Sequence, residues 1–440
     1  MVTDKTSVKN YPAYKDSGVE WSGLVPENWG ALPIRAIFEE RNEKNEGRKT
    51  DYILSVTKDR GVIPYDEKGA IGNNKSEDIE RYKLVYPNDF VINKMNVVIG
   101  SLGMSKYYGA FSQVYLVYKP RTSQININYY SYIFSNPSFY KSLIKYCTGI
   151  MELRESLNKE DFKKIILPFP DYQTQSVIVE YLDRKTALID QAISIKEKQI
   201  ELLKERRQIL IHKSVTRGLK TNIKLKDSGV EWIGEIPEDW EVKPLRFIGK
   251  TQNGLSKGGE YFGTGFPFLT YGDVYNDIEL PNQLSGLAES NSKDQKQFSV
   301  QEGDVFFTRT SETVDEIGFA STCLHTIDQA TFAGFLIRFR PKKNVLFKGY
   351  SKFYFSSKTH RSFFVGEMNL VIRASLSQEL LKRLPVVIPP MKEQIEIAEY
   401  IETFSTKIIT AITLKVREIE KLKEYKASLI NSAVTGKIKV

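Results

Sequence analysis

Basic side chains stand at the ends of two strand-like runs of the chain. Lys94 closes the run NDFVINK (residues 88–94), and Arg309 closes the matching run GDVFFTR (residues 303–309). An arginine is suited to guanine O6 and N7, and either residue is suited to a phosphate. We therefore interpret both as candidate DNA contacts, with a solvated strand end as the alternative.

Further polar and basic groups lie near these strand ends or before the helices. The polar groups that could reach base edges or phosphates are Asn93, Asn96, Thr308, Thr310 and Ser311. Lys106, Tyr107 and Tyr108 combine charge with aromatic surface and are candidate contacts for that reason. For the two tyrosines, a half-buried place in the core is the more common role. Arg154 and Arg373 precede the same helix entry in both halves of the chain. Their equivalence favours a shared structural or phosphate-positioning role over sequence reading.

No set of residues in the sequence supports catalysis. The Asn-Pro-Pro-aromatic motif of adenine methyltransferases is missing, since Asn136-Pro137-Ser138 departs from it, and no phosphate-binding G-x-x-x-x-G-K-[ST] loop exists. Three histidines and two cysteines are scattered without metal-ligand spacing. The sequence predicts no catalytic, cofactor-binding or metal-binding residue.

The composition fits a globular protein that binds nucleic acid. The 440 residues have room for two to three domains, and 63 Lys and Arg against 54 Asp and Glu leave a net charge of +9. Two cysteines make no disulfide framework, and the first residues lack the apolar stretch of a signal peptide. We expect a soluble, cytoplasmic protein.

An internal repeat organises the whole chain. KDSGVEWSGLVPENW begins at Lys15, and KDSGVEWIGEIPEDW begins at Lys226, 211 residues later. A second repeated pair, beginning at Gln175 and at Gln394, is 219 residues apart. Such a repeat indicates two similar units in tandem. Because the spacing varies between frames, the loops differ, and a shared frame with divergent loops suits one scaffold that reads two targets.

A long helix with a heptad seam ends each half, and each seam carries basic residues at the same two places. The seam of the first helix consists of Leu182, Ile189, Ile193, Lys196, Ile200, Leu203, Arg207 and Leu210. The seam of the second consists of Ile401, Ile408, Ile412, Lys415, Ile419, Leu422, Lys426 and Leu429. The matching seams favour an antiparallel coiled coil of the two helices, each about 60 Å long; packing of each helix on its own domain is the alternative.

The predicted fold class is α+β, with two globular α/β domains, two long antiparallel helices, and a tandem repeat of pseudo-two-fold character. Strand-like runs include Phe90–Asn93, Val114–Tyr118, Val305–Phe307 and Phe335–Phe339. The boundaries expected from the sequence are recognition domain 1 at 1–165, the central helix at 166–218, recognition domain 2 at 219–385 and the C-terminal helix at 386–440.

The sequence resembles the specificity subunit of type I restriction–modification systems over nearly its whole length. The resemblance rests on the duplicated Asp-Ser-Gly-Val-Glu-Trp segments, on Asn93-Lys94-Met95 and on Gly303-Asp304-Val305. It also rests on the proline and glutamine at each helix entry, from Pro170 to Gln175 and from Pro389 to Gln394. The order and duplication of these elements make the match specific.

The resemblance implies a non-catalytic subunit that reads a bipartite asymmetric DNA site, one half per target recognition domain, across a spacer set by the helices. It implies double-stranded DNA and two modification subunits as partners, with restriction subunits a further possibility. S-adenosylmethionine, ATP and Mg are expected in those partners and no cofactor in this chain. A stand-alone DNA-binding protein or nuclease, and a coiled-coil scaffold without a DNA role, are the alternatives.

Overall fold

The computed structural model describes residues 10–58, 60–69, 76, 78–148, 156–311, 317–357, 363–364 and 374–440. The chain divides into two compact units that are not continuous in sequence. Unit 1 comprises residues 1–196 and 416–440, and unit 2 comprises residues 197–415. Each unit therefore contains one globular part and a portion of both long helices. The boundaries predicted from the sequence follow chain order instead and stay predictions.

Unit 1 is built around an antiparallel four-stranded sheet, the central sheet of unit 1. Its strands, in spatial order, are Phe38–Glu40, Tyr115–Pro120, Phe90–Asn93 and Leu102–Met104. The other strands are Tyr14–Asp16, Leu24–Pro26, Gly30–Pro33, Leu54–Thr57, Gly61–Pro64, Lys83–Val85, Gly109–Phe111, Cys147–Thr148, Ser156–Leu157 and Ile166–Phe169. The short helices are Ile34–Ile37, Tyr65–Lys68, Val97–Ile99, Ile127–Phe134, Pro137–Ser142, Leu143–Tyr146 and Lys159–Phe162.

Unit 2 contains a central sheet with the same strand order. Its strands, in spatial order, are Gly249–Asn253, Leu336–Pro341, Val305–Thr308 and Ala320–Thr322. The other strands are Leu225–Asp227, Glu235–Pro237, Glu241–Pro244, Phe262–Leu269, Leu287–Ala288, Thr310–Ser311, Thr331–Phe332, Ala374–Ser375 and Pro385–Ile388. The short helices are Leu245–Ile248, Gly259–Tyr261, Tyr271–Asn276, Ser292–Gln297, Lys348–Ser356 and Gln378–Arg383.

The strand after the repeated Asp is apolar without interruption because both of its faces are covered. In unit 2, Val305 and Phe307 enter one hydrophobic cluster while Phe306 enters another, and all three are fully buried. In unit 1, Phe90 packs its ring on Phe134 at a centroid distance of 4.0 Å. A strand buried on both sides reads as a continuous apolar run rather than an alternating one. The predicted α+β class, with a repeated frame, is confirmed.

The two central sheets differ in what surrounds them. Unit 1 adds a hairpin, Leu54–Thr57 with Gly61–Pro64, whereas unit 2 adds a three-stranded sheet in which Phe262–Leu269 pairs parallel with Thr331–Phe332. The strands predicted to begin at Val114 and Phe335 each begin one residue later, because these two residues lie in a turn.

Each long helix has a buried glutamine in its first turn and is followed by a glycine. Gln175 donates a hydrogen bond from Nε2 to the carbonyl of Pro170 at 2.8 Å, and Gln394 donates one to Pro389 at 2.9 Å. The helices span Tyr172–Arg217 and Met391–Val434. Gly218 follows the first at φ 72°, and Gly436 ends the turn after the second at φ 71°, both in the left-handed region that favours glycine.

Inside each unit the two helices run antiparallel, as predicted. In unit 1, Lys196 pairs with Glu418 and Lys426 with Asp190, so partner numbers rise as residue numbers fall. In unit 2, Arg207 Nε donates to Ser405 Oγ at 3.1 Å and Lys220 pairs with Glu393.

Within the described ranges, no helix is both long and apolar enough to cross a membrane. In those same ranges, no group of three or more His, Cys, Asp or Glu residues is placed to hold a metal ion.

Candidate nucleic-acid interface

The two basic strand ends occupy the same backbone frame. The N–H of Leu157 donates to the carbonyl of Lys94 at 3.0 Å, and the N–H of Leu376 donates to the carbonyl of Arg309 at 2.7 Å. Both leucines are buried, and both basic residues are partly exposed. The structure therefore fixes the main chain of each strand end and leaves part of its basic side chain to solvent. Their assignment to DNA contact stays a prediction.

The other predicted contact residues of unit 1 lie in two places. Asn96 is exposed in the turn after Phe90–Asn93, where its carbonyl accepts hydrogen bonds from Ile99 and Ser101. Lys106 is exposed and lies beyond the strand Leu102–Met104. Tyr107 is half-buried against the hydrophobic cluster of the hairpin, which agrees with the alternative of a partial core role.

Lys106 and Tyr107 line an open cavity of about 500 Å³, together with two basic residues that the sequence analysis did not single out. Lys58 and Arg60 come from the tip of the hairpin and are exposed. Gly103 lets the hairpin approach, because a Cβ there would lie 3.2 Å from Gly61 Cα. The signal available in the sequence was a glycine turn flanked by basic residues, but its placement depends on tertiary packing.

The predicted contacts of unit 2 are less fully described. Thr310 and Ser311 form a short strand that pairs antiparallel with Ala374–Ser375 directly after Arg309. This pairing places their backbone beside the strand end. Arg154 and Arg373 lie outside the described residues.

A buried carboxylate stands at the start of the central strand in each unit. Asp89 accepts from Arg41 Nε at 2.7 Å, and Asp304 accepts from Arg340 Nε at 2.6 Å. The two carboxylates also accept backbone N–H groups, from Tyr86 at 2.9 Å and from Gln301 at 2.8 Å. Burial raises the pKa of Asp89, against the opposing effect of the Arg41 guanidinium. These pairs hold the turn that leads into the strand.

A second carboxylate of unit 1, that of Glu40, is largely buried and lies within 4 Å of three lysines. Glu40 lies 2.5 Å from Lys159 Nζ, 3.6 Å from Lys163 Nζ and 3.8 Å from Lys83 Nζ. Burial works to raise the pKa of Glu40, but the hydrogen bond from Lys159 and the other lysines outweigh it, so the pKa lies below its ordinary value. The cluster ties the edge strand Phe38–Glu40 to the helix Lys159–Phe162.

The apolar residues of both helix seams are buried or half-buried. Less than a tenth of the surface of Ile189, Ile193 and Ile200 is exposed, and the same holds for Ile408 and Ile419. Lys196 and Lys426, the basic seam residues of unit 1, reach carboxylates on the other helix. Leu182, Ile401 and Leu429 are buried, while the remaining apolar seam residues, Leu203, Leu210, Ile412 and Leu422, are half-buried.

The comparisons with known proteins agree with this duplicated architecture. The model of the type I restriction modification DNA specificity domain matches residues 26–205 and again residues 237–421. A putative type I restriction enzyme MjaX specificity subunit of Methanocaldococcus jannaschii is 24% identical, over 95% of this chain and 95% of its own. The EcoKI specificity subunit of Escherichia coli K12 is 24% identical, over 87% of this chain and 83% of its own.

Solved structures share the fold. A chain from a study of complex assembly and conformational transition of the type I R-M system superimposes with a TM-score of 0.69 at 11% identity, covering 93% of this chain and 98% of its own. The HsdS subunit from Thermoanaerobacter tengcongensis gives a TM-score of 0.54 at 12% identity, covering 94% and 98%.

Two copies of one α+β recognition frame, each followed in sequence by a long helix, define a duplicated specificity protein. The chain belongs to the family of type I restriction modification DNA specificity domains, which confirms the resemblance found in the sequence and gives the chain a role in DNA sequence specificity.

Proposed function

We propose that this chain reads a bipartite asymmetric site on double-stranded DNA, one half-site per recognition domain, and directs adenine-N6 methylation and restriction by partner subunits. The observation that carries the proposal is the repeated central sheet with different surroundings in the two units. A shared frame can hold two readers in the same way, while different loops read different bases.

The partners follow from the same proposal. Two modification subunits, and restriction subunits where the complex cleaves DNA, would supply S-adenosylmethionine, ATP and Mg chemistry. One solved neighbour is described in terms of complex assembly of the type I R-M system, which supports a role within an assembly. The chain itself would position the partners and supply no catalytic group.

The test is to express the full chain with its modification subunits and to map methylated adenines. We expect methylation at one split sequence, abolished by base changes in either half-site and tolerant of changes in the spacer between them. Equal methylation of adenines in every context would contradict the proposal. Metal-dependent DNA cleavage by the purified chain alone would favour a nuclease instead.

Salt dependence separates DNA recognition from a purely structural role. Each phosphate contact should contribute a slope of about −0.9 to the logarithm of affinity against the logarithm of salt concentration. A flat salt dependence of duplex binding would favour a scaffold without a DNA role.

A further inference from the structure

Val114 and Phe335 occupy the same turn in the two units. In unit 1 the N–H of Tyr115 donates to the carbonyl of Ser112 at 3.1 Å, and in unit 2 the N–H of Leu336 donates to that of Ala333 at 3.0 Å. Both bonds close a four-residue turn, and the apolar residue is the third of the four. Val114 is 48% exposed and Phe335 65% exposed.

An apolar side chain at this turn position needs an explanation. Turns favour Gly, Asn, Asp and Ser, because these residues tolerate the required backbone angles or bond their own backbone. A single exposed apolar residue is ordinary on a protein surface. Here, however, the exposed apolar residue recurs at the equivalent position of both units, although the flanking residues Gln113 and Gly334 differ. Recurrence at one place in a repeated frame points to a shared use.

In each unit the sheet register relates the apolar residue to a basic strand end. The sheet register pairs Asn93 with Tyr115 and Thr308 with Leu336. Extended one residue past the strand ends, this register leads to Lys94 and Val114 in unit 1. It likewise leads to Arg309 and Phe335 in unit 2, where the N–H of Arg309 donates to the carbonyl of Phe335 at 3.0 Å.

The backbone on which these residues stand is held firmly. The carbonyls of Lys94 and Arg309 accept the N–H groups of Leu157 and Leu376, and the strands behind them are buried on both faces. Contact groups mounted on a strand end are placed more accurately than groups on a free loop. The pairs therefore have the fixed position that base readout requires.

We propose that the pairs Lys94–Val114 and Arg309–Phe335 contact base edges of duplex DNA and help to determine which bases each domain selects. The inference rests on the proposed DNA-reading function. A basic group suits guanine O6 and N7, and an apolar group suits the methyl of thymine. Val114 presents a small aliphatic contact, whereas Phe335 presents a ring, so the two pairs select different bases from the same place in the frame.

The test uses the full chain assembled with its modification subunits. In separate complexes, Phe335→Ala and Val114→Ala are introduced, methylated adenines are mapped, and affinity is measured on duplexes that carry single base changes. We expect Phe335→Ala to weaken binding to the preferred duplex by about 10-fold and to relax base choice within one half-site only. Val114→Ala should relax base choice within the other half-site.

Phe247→Ala is the matched control. Phe247 is 56% exposed, lies in unit 2 and has the guanidinium of Arg246 4.8 Å from its ring centroid. It therefore resembles Phe335 in chemistry but not in position, and its counterpart in the repeat is Ala36. We expect this control to leave base choice unchanged. Arg309→Lys should retain affinity better than Arg309→Ala, because the lysine keeps the charge but loses the two-pronged donor.

The outcomes separate the inference from the proposed function. Unchanged base choice in Phe335→Ala and Val114→Ala, with the unaltered chain still selective, would overturn the inference alone. A uniform loss of affinity at both half-sites would overturn it as well, since that result indicates a general effect. An unaltered chain that shows no base preference would overturn the proposed function itself.

Discussion

The central sheet of each unit has a buried carboxylate at the equivalent position, but the arginine that neutralises it comes from a different strand in each unit. In unit 1, Asp89 is paired with Arg41, which follows the edge strand. In unit 2, Asp304 is paired with Arg340, which lies on the neighbouring strand. The register of the sheets makes Gln252 the counterpart of Arg41 and Lys119 the counterpart of Arg340. The arginine has therefore changed strands while the contact has remained.

This difference shows which feature of the frame the fold depends on. Asp304 is fully buried and Asp89 is 2% exposed, so each carboxylate needs a cation and backbone donors to offset its loss of water. Either of the two neighbouring strands can supply the cation, since Arg41 follows the edge strand in unit 1 and Arg340 lies on the adjacent strand in unit 2. Recognition loops can then diverge around a turn whose geometry stays the same.

Replacing the arginine that pairs with the buried carboxylate should cause the largest loss of stability. Arg340→Ala leaves a buried carboxylate without its cation, and we expect a loss of about 3 kcal/mol in the free energy of unfolding, measured by urea denaturation. Arg41→Gln should act similarly in unit 1. The control is Arg48→Ala, whose exposed pair with Asp51 should contribute less than about 1 kcal/mol.

The exchange of strands can be reproduced directly. Arg41→Gln combined with Lys119→Arg gives unit 1 the arrangement seen in unit 2, and Lys119 already acts on Asp89 through its charge. We expect the double variant to recover most of the stability that Arg41→Gln loses. If the double variant is no more stable than the single one, the strands are not interchangeable and the comparison fails.

The helix-entry glutamines should show the next largest effect, and an unequal one. Gln394 donates to Pro389 and Val345 and accepts from Phe347, whereas Gln175 donates to Pro170 and accepts from Asn126.

Gln394→Ala should cost about 2 to 3 kcal/mol and Gln175→Ala less, because more buried groups lose a partner in the first case. Urea denaturation measures both, with the exposed Gln173→Ala as control. Equal losses would mean that the additional bond of Gln394 contributes nothing.

The repeated frame could be predicted from the sequence because it depends on local patterns of residue types. The apolar run after Asp89 and after Asp304, the helix-entry glutamines and the seams each recur with the same residue types. Where β-branched or aromatic residues extended a strand pattern through Val114 and Phe335, the predicted strand start was one residue early. In both units a backbone hydrogen bond closes a turn at this residue, so the strand begins after it.

Partners that are distant in sequence were beyond prediction. Arg41 and Asp89 are joined only by the register of the sheet, and Lys58 lines the same cavity as Lys106 only because a hairpin packs on the central sheet. Neither placement follows from propensity or periodicity. The candidate DNA contacts could be chosen by chemistry, but which of them share a surface depends on tertiary packing.

A pH series should reveal the shared charge at Glu40, for which unit 2 has Thr251 at the equivalent position. The pKa of Glu40 is lower in the folded chain than its ordinary value of 4.5, so its stabilising effect is present above that pH and is lost as the pH falls through the lowered pKa.

Glu40→Gln should lower stability at neutral pH by about 1 to 2 kcal/mol and flatten the acid-side slope of unfolding free energy against pH. Glu46→Gln, at an exposed carboxylate, is the control. Parallel slopes for the Glu40 variant and the unaltered chain would show that ionisation of Glu40 does not contribute to the pH dependence of stability.

The smallest effect is expected at the polar contacts between the long helices, where the two units again differ. In unit 1, Lys426 reaches both oxygens of Asp190 at 2.7 Å, whereas in unit 2 the counterpart Arg207 binds the neutral Ser405. A double-mutant cycle on Lys426 and Asp190 should give a coupling of about 0.5 kcal/mol that disappears in high salt, because both groups are partly exposed. The cycle on Arg207 and Ser405 should respond far less to salt, since a buried hydroxyl carries no charge to screen. Equal salt dependence of the two cycles would show that the helices are held by the same electrostatics in both units, against the difference in their partners.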